Sequence, residues 1–226
     1  MARRPLHFIW LCDCSGSMSV DGKIQALNNA IREATQPMRE VAKENPNANV
    51  LVRALKFSNG AQWCIATPTE VDSFRWEDLD ADGVTDMGKA MRMVAEQLKV
   101  PPMDERALPP VLVLITDGQP TDDFKGGLQA LMDEPWGKKS VRVAIAIGED
   151  ADLEVLQKFI GHPEMHPLQA HNAETLVSYI KWVSTAVLKS ASQPASQATA
   201  DAGAPAMHVP VPAPPDASPS SADDVW

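Results

Sequence analysis

At 226 residues, with 44% apolar and 22% charged side chains, the chain is long enough for one good-sized core and has the balance of an ordinary soluble domain. Its formal charge is −10 and no basic stripe interrupts the acid, which argues against nucleic acid or an anionic membrane as partner. No run approaches the ~18 apolar residues of a spanning helix, and three cysteines (Cys12, Cys14, Cys64) cannot all pair, so a reduced, cytoplasmic setting is expected.

Residues 6–12 (LHFIWLC) are almost all bulky, apolar and β-prone, as for a strand buried on both faces of a parallel sheet. Arg3 and Arg4 ahead of them look like the start of a secretory leader. The apolar run 7–12 is shorter than the roughly 7–15 residues of a leader core, and Asp13 ends it with no small-residue cleavage site, so a first strand is expected. Residues 13–21 then form a polar loop. From Lys23, the apolar positions Ile24, Leu27, Ile31, Ala34, Met38 and Val41 recur at helical spacing. Pro37 is expected to kink or restart that helix, which ends at 44–47 (ENPN).

Residues 49–57 (NVLVRALKF) predict a second strand, and Ser58-Asn59-Gly60 a tight turn into a short antiparallel edge strand over 61–66. Residues 68–82 are polar and irregular, with one helical turn expected near 76–79. Met87, Ala90, Met91, Val94, Ala95 and Leu98 predict a second amphipathic helix over 86–99. Four prolines make 100–110 a loop. Residues 111–115 (VLVLI) are the most strand-like run and stop at Thr116-Asp117-Gly118. A helix over 125–134, a buried strand over 141–147 and a short helix over 152–160 follow. Last come a short strand within 165–170 and a long helix over 172–189.

Residues 1–189 are expected to form one domain. Residues 190–226, rich in Ala, Pro, Ser and Asp, have too few large apolar side chains to offset the entropy of ordering, and a disordered acidic tail is expected. Alternating strands and helices predict an α/β fold: a doubly wound, Rossmann-like, mostly parallel six-stranded sheet with helices on both faces. Such sheets bind ligands beyond the carboxyl ends of the strands, where strand order reverses. Asp13 and Asp117 both follow strands at that end.

Asp13, Ser15 and Ser17 begin a candidate divalent-cation site. A hard dication takes oxygen ligands, and Mg²⁺ demands an octahedron at about 2.0–2.1 Å. Two serines flanking Gly16 on a tight loop can turn both hydroxyls to one side, with Asp13 placed to hold a ligand water or a serine hydroxyl. Two further oxygens are expected from Thr85, just before a helix, and Asp117, just after a strand. Each fragment alone is also an ordinary turn or helix cap. Jointly, in this order and each at an element boundary, they indicate a metal site.

In these five residues, D-x-S-x-S then T then D, the chain resembles the von Willebrand factor A (VWA) family over roughly residues 5–189. The resemblance implies a metal-ion-dependent adhesion site holding Mg²⁺, with Mn²⁺ or Ca²⁺ as alternatives. It implies that the serines and threonine bind the ion directly or nearly so, that the aspartates often act through water, and that a partner's Asp or Glu takes the sixth position. Residues 14–18 (CSGSM), 115–121 (ITDGQPT) and 179–184 (YIKWVS) are most similar to the TerY-like VWA proteins of bacterial tellurium-resistance and stress-response gene clusters. That likeness implies a cytoplasmic, non-enzymatic scaffold beside a protein kinase and phosphatase. Val84 departs from the more usual Gly-Gly-Thr run and stiffens the loop presenting Thr85.

Other readings fare less well. A VWA adaptor of an AAA+ ATPase would use the same five residues. A metal-dependent phosphohydrolase with Asp13 as nucleophile needs a second aspartate two residues on, where Ser15 stands. Gly16 and Gly22-Lys23 mimic a phosphate loop, but five residues separate the glycines and Ile24 replaces the required Ser or Thr. His162, His166 and His171 invite zinc, yet Pro163 and Pro167 break the helix that would align the first two, and no cysteine joins them. Cys12 and Cys14 are expected in the core, and Asp86 as a helix cap.

Overall fold

In a computed structural model, which describes residues 3–193 and 210–216, the first strand is the centre of the sheet. β1 (Arg4–Asp13) is buried from Leu6 onward and pairs in parallel with β2 (Ala48–Ser58) on one side and β4 (Val111–Thr116) on the other. The sheet runs β3-β2-β1-β4-β5-β6, with β3 (Gly60–Glu70), β5 (Val141–Ile147) and β6 (Leu168–Ala170) completing it. Only the β2–β3 pair is antiparallel. The chain leaves β1 toward β2 but later returns beside β1 as β4, so the crevice at the carboxyl ends of β1 and β4 is the point where strand order reverses.

Strand alternation sorts the core into two layers. Leu6, Phe8, Trp10 and Cys12 face one side with Val113, Ile115 and Ile145. There α1 (Lys23–Glu44) and α6 (Ala173–Trp182) pack on them and on each other. Ile9, Leu11, Leu55, Phe57, Leu112 and Leu114 face the other side, under α2 (Met87–Gln97), α3 (Phe124–Asp133) and α5 (Leu153–Ile160). Covering both faces is what lets β1 and β4 be continuous apolar runs.

Several local details differ from the sequence expectations. α1 does not restart at Pro37 but continues through it to Glu44, because Ile31, Ala34 and Met38 around it are buried and the packed face outweighs one lost backbone bond. β3 extends to Glu70, well past the expected residue 66; as an edge strand it tolerates Pro68, whose missing N–H removes no obligatory ladder bond. The helical turn near 76–79 does not form. The Asn28 side chain grips that segment instead, donating to the Leu79 carbonyl (2.9 Å) while its oxygen accepts from Leu79 N (2.9 Å) and Trp76 Nε1 (3.0 Å). A short helix α4 (Pro135–Lys139) follows α3, and β6 shrinks to three residues after Pro167.

The last helix passes from α6 through a π-helical turn (Val183–Val187) into α7 (Leu188–Ala191). Of the expected disordered tail, residues 210–216 carry no helix or strand, but half-buried Val211 packs against the α1 side of the core. Residues 194–209 and 217–226 lie outside the described residues. No helix among the described residues is long and apolar enough to cross a membrane.

Candidate metal centre

Three loops meet at the carboxyl ends of β1 and β4. The first is the segment Gly16–Gly22 between β1 and α1, a 3₁₀ turn that breaks at Val20 and Asp21. It is zipped to the loop before α2 by two backbone bonds, Gly16 N to the Gly83 carbonyl (2.9 Å) and Asp82 N to the Cys14 carbonyl (2.8 Å). Gly83 sits at φ +85°, and a Cβ there would collide with Asn59 of the β2–β3 turn. Glycine is therefore required where that turn buttresses the Thr85 loop. The third loop follows β4 and is clamped to the second by a reciprocal pair: Thr85 N donates to Thr121 Oγ1 (3.0 Å) and Thr121 N to the Thr85 carbonyl (2.9 Å).

This scaffold brings the five expected residues together. Ser15 and Ser17 hydroxyls lie 3.1 Å apart, and Ser17 Oγ donates to Asp117 Oδ1 at 2.7 Å. Ser15 N donates to Asp13 Oδ1 at 2.8 Å, and the Thr116 hydroxyl donates to Asp13 Oδ2. Thr85 joins from the far side. A Cβ placed on Gly118 would stand 3.6 Å from Thr85 Oγ1, 3.8 Å from Ser17 Oγ and 4.0 Å from Asp13 Oδ2, so these three oxygens converge over a residue that has no side chain. Asp13 and Asp117 are completely buried; Ser15 and Thr85 are nearly so.

The donor set suits a hard dication. Neighbouring ligands on a Mg²⁺ octahedron stand about 3 Å apart, the spacing found along Ser15, Ser17 and Asp117. Burial, the larger influence, pushes the Asp13 carboxyl up to about 6 against the hydrogen bonds from Thr116 and Ser15, and the charge of Asp117 adds to the rise. A cation beside Asp13 would supply the missing compensation. The adjacent thiols offer no soft alternative. Burial raises Cys12 well above its usual value and Cys14 to about 12, so both are neutral thiols. All three cysteines are free, with Cys64 exposed on β3. Among the described residues no group of three or more His, Cys, Asp or Glu side chains gathers as a metal cluster, and this includes the three histidines at 162–171.

Sequence reasoning missed four supporting residues. Lys23, the first residue of α1, donates to Asp117 Oδ2 at 2.9 Å with both side chains buried. Asp122 caps α2 from outside, accepting from Gly88 N (2.7 Å) and Lys89 N (2.8 Å). The expected cap, Asp86, makes no such bond. Its carboxylate turns back to Gly60 N (2.7 Å) and to Lys89 Nζ, tying the helix start to the β2–β3 turn. Thr116 and Thr121 complete the set. Only Thr116, beside Asp117 at a strand end, carried a usable local signal.

Comparison with known proteins agrees with this architecture. Solved structures of similar fold include a von Willebrand factor type A protein from Catenulispora acidiphila, 18% identical, with a TM-score of 0.62 over 82% of this chain and 43% of that one. The ArnB paralog VWA2 from Sulfolobus acidocaldarius is 18% identical, with a TM-score of 0.55 over 80% of this chain and 46% of that one. Proximal thread matrix protein 1 from the mussel byssus, with a zinc-occupied MIDAS motif, is 15% identical, with a TM-score of 0.60 over 84% and 48%. The chain thus spans under half the length of each. No curated protein sequence matches it. The family model for the von Willebrand factor type A domain matches residues 9–181, from inside β1 to the last turn of α6, and the chain belongs to that family.

Proposed function

We propose that this VWA domain is a non-enzymatic interaction module that binds a partner protein's Asp or Glu through a divalent cation held by Asp13, Ser15, Ser17, Thr85 and Asp117. The observation that carries this reading is the convergence of those oxygens at the switch point of the sheet, over the bare backbone of Gly118. Mg²⁺ is the ion proposed, with Mn²⁺ or Ca²⁺ as substitutes, since the donors are hydroxyl and carboxylate oxygens. VWA domains serve broadly as interaction modules, which supports the non-enzymatic reading. The TerY-like stretches quoted above support a cytoplasmic scaffold acting with a kinase or phosphatase in a stress response.

The bound ion would supply a Lewis-acidic coordination position. The chain's own residues shape it: the Ser15–Ser17 turn aims two hydroxyls, the Thr85–Thr121 clamp presents a third, and two buried carboxylates face the ion's charge. Calorimetric titration with Mg²⁺, followed by capture of candidate kinases and phosphatases in Mg²⁺ and in EDTA, tests the reading. Asp13→Ala and Ser15→Ala are expected to abolish both ion binding and metal-dependent capture. Retention of both by the variants would refute it.

A further inference from the structure

The cluster already contains a cation of its own. Lys23 is 6% exposed, and its ammonium is held 2.9 Å from Asp117 Oδ2, while Asp117 Oδ1 accepts from Ser17. Its location is electrostatically awkward. It occupies the first position of α1, where the positive end of the helix dipole disfavours a lysine, and the first turn carries no acidic residue to offset it. Gly22, in the left-handed conformation at φ +72°, turns the chain so that this side chain points back to the loop after β4. Asp117 is the anion that holds the ammonium there.

The charges can be counted. Asp13 and Asp117 contribute two negative charges and Lys23 one positive, so the cluster offers a dication only one net negative charge. Resting on the metal-site reading above, we infer that Lys23 is a resident counter-cation that keeps the affinity for the divalent ion low and leaves the loaded site with one surplus positive charge. A carboxylate at the open coordination position cancels that surplus. Ion and carboxylate therefore bind as a mutually dependent pair, and the ion alone is held weakly. Without Lys23, two carboxylates would balance the dication unaided, and the ion would stay bound with or without a partner.

A purely structural Lys23, serving only to hold Asp117 in place, predicts the opposite: its loss would loosen the site and weaken ion binding. The test uses the full chain, with Mg²⁺ alone and Mg²⁺ plus sodium acetate as the carboxylate probe. Wild type, Lys23→Met, Lys23→Gln and Asp13→Ala are titrated by calorimetry and melted in EDTA. Lys23→Met and Lys23→Gln are expected to bind Mg²⁺ about tenfold or more tightly, as removing a unit charge a few ångströms from a dication implies. They are also expected to lose most of the enhancement by acetate and to melt lower in EDTA. Lys23→Gln retains a hydrogen-bond donor without the charge, and it decides the question if the methionine variant does not fold. Unchanged or weaker Mg²⁺ binding in the variants, with wild type binding and Asp13→Ala not, overturns the role of Lys23 alone. Identical titrations of wild type and Asp13→Ala overturn the metal site itself and this inference with it.

Discussion

Asp13 ends β1 and Asp117 directly follows the neighbouring β4; they are equally buried and point into the same cluster, yet they live under different electrostatic conditions. Asp13 is held by neutral donors, the Ser15 amide and the Thr116 hydroxyl, and burial still raises its carboxyl to about 6. Asp117 has a buried ammonium 2.9 Å away. The difference teaches that hydrogen bonds from neutral groups do not fully replace a counter-charge inside a protein. One carboxylate of the pair is short of positive charge, whereas its neighbour is supplied with it by the chain.

The comparison breaks most sharply under asparagine substitution. Asp117→Asn strands the Lys23 ammonium among buried groups and is expected to cost about 3–5 kcal/mol in denaturant titrations in EDTA. Asp13→Asn removes a charge that burial already disfavours and is expected to cost far less than Asp117→Asn, or to stabilise, near neutral pH in EDTA. Both should lose Mg²⁺ binding. Equal losses of stability would show that the two carboxylates are not electrostatically distinct.

The next effect is a pH dependence of opposite sign at two buried groups. Burial, with Arg53 adding to it, lowers His7 on β1 from 6.5 to about 4. The unfolded chain therefore protonates first, and stability is lost as pH falls from 6.5 toward 4, by up to about 3 kcal/mol. Asp13 works the other way. Its folded carboxyl holds a proton up to about 6, so in EDTA it costs stability as pH rises from 3.8 toward 6. Stability measured by denaturant titration between pH 6.5 and 4 is thus expected to fall more steeply in Asp13→Asn than in wild type, since the variant leaves His7 unopposed. Parallel curves would contradict the raised Asp13 value.

The smallest effect on stability is expected at Gly118. An alanine Cβ there would meet Thr85, Ser17 and Asp13 oxygens at ordinary contact distances, so Gly118→Ala should fold within about 0.5 kcal/mol of wild type. The methyl would nonetheless face the space those oxygens share, and Mg²⁺ affinity is expected to drop about tenfold or more. Wild-type affinity in this variant would move the ion elsewhere.

Most of the fold was legible because its signals are local. A run such as Leu6 to Cys12 admits only a strand buried on both faces, and three-and-four spacing of apolar residues defines α1 and α2. What failed were endings and exceptions: the helix that does not restart at Pro37, the extension of β3 through Pro68, and the 76–79 segment gripped by Asn28. In each, contacts with a distant part of the chain overrode local propensity.

The candidate site divides in the same way. The sequence by itself singled out the candidate donors, because Asp13, Ser15 and Ser17 fall on one tight loop and Thr85 and Asp117 at element boundaries, where side chains reach a common crevice. Only the tertiary structure decided the charge balance and the clamp. Lys23 meets Asp117 across 94 residues, and Thr121 meets Thr85 across 36. Nothing in the local spacing announces either pair. The physical reason is that a ligand's residue type is written at its own position, whereas the charge it feels is the sum of whatever the fold packs beside it.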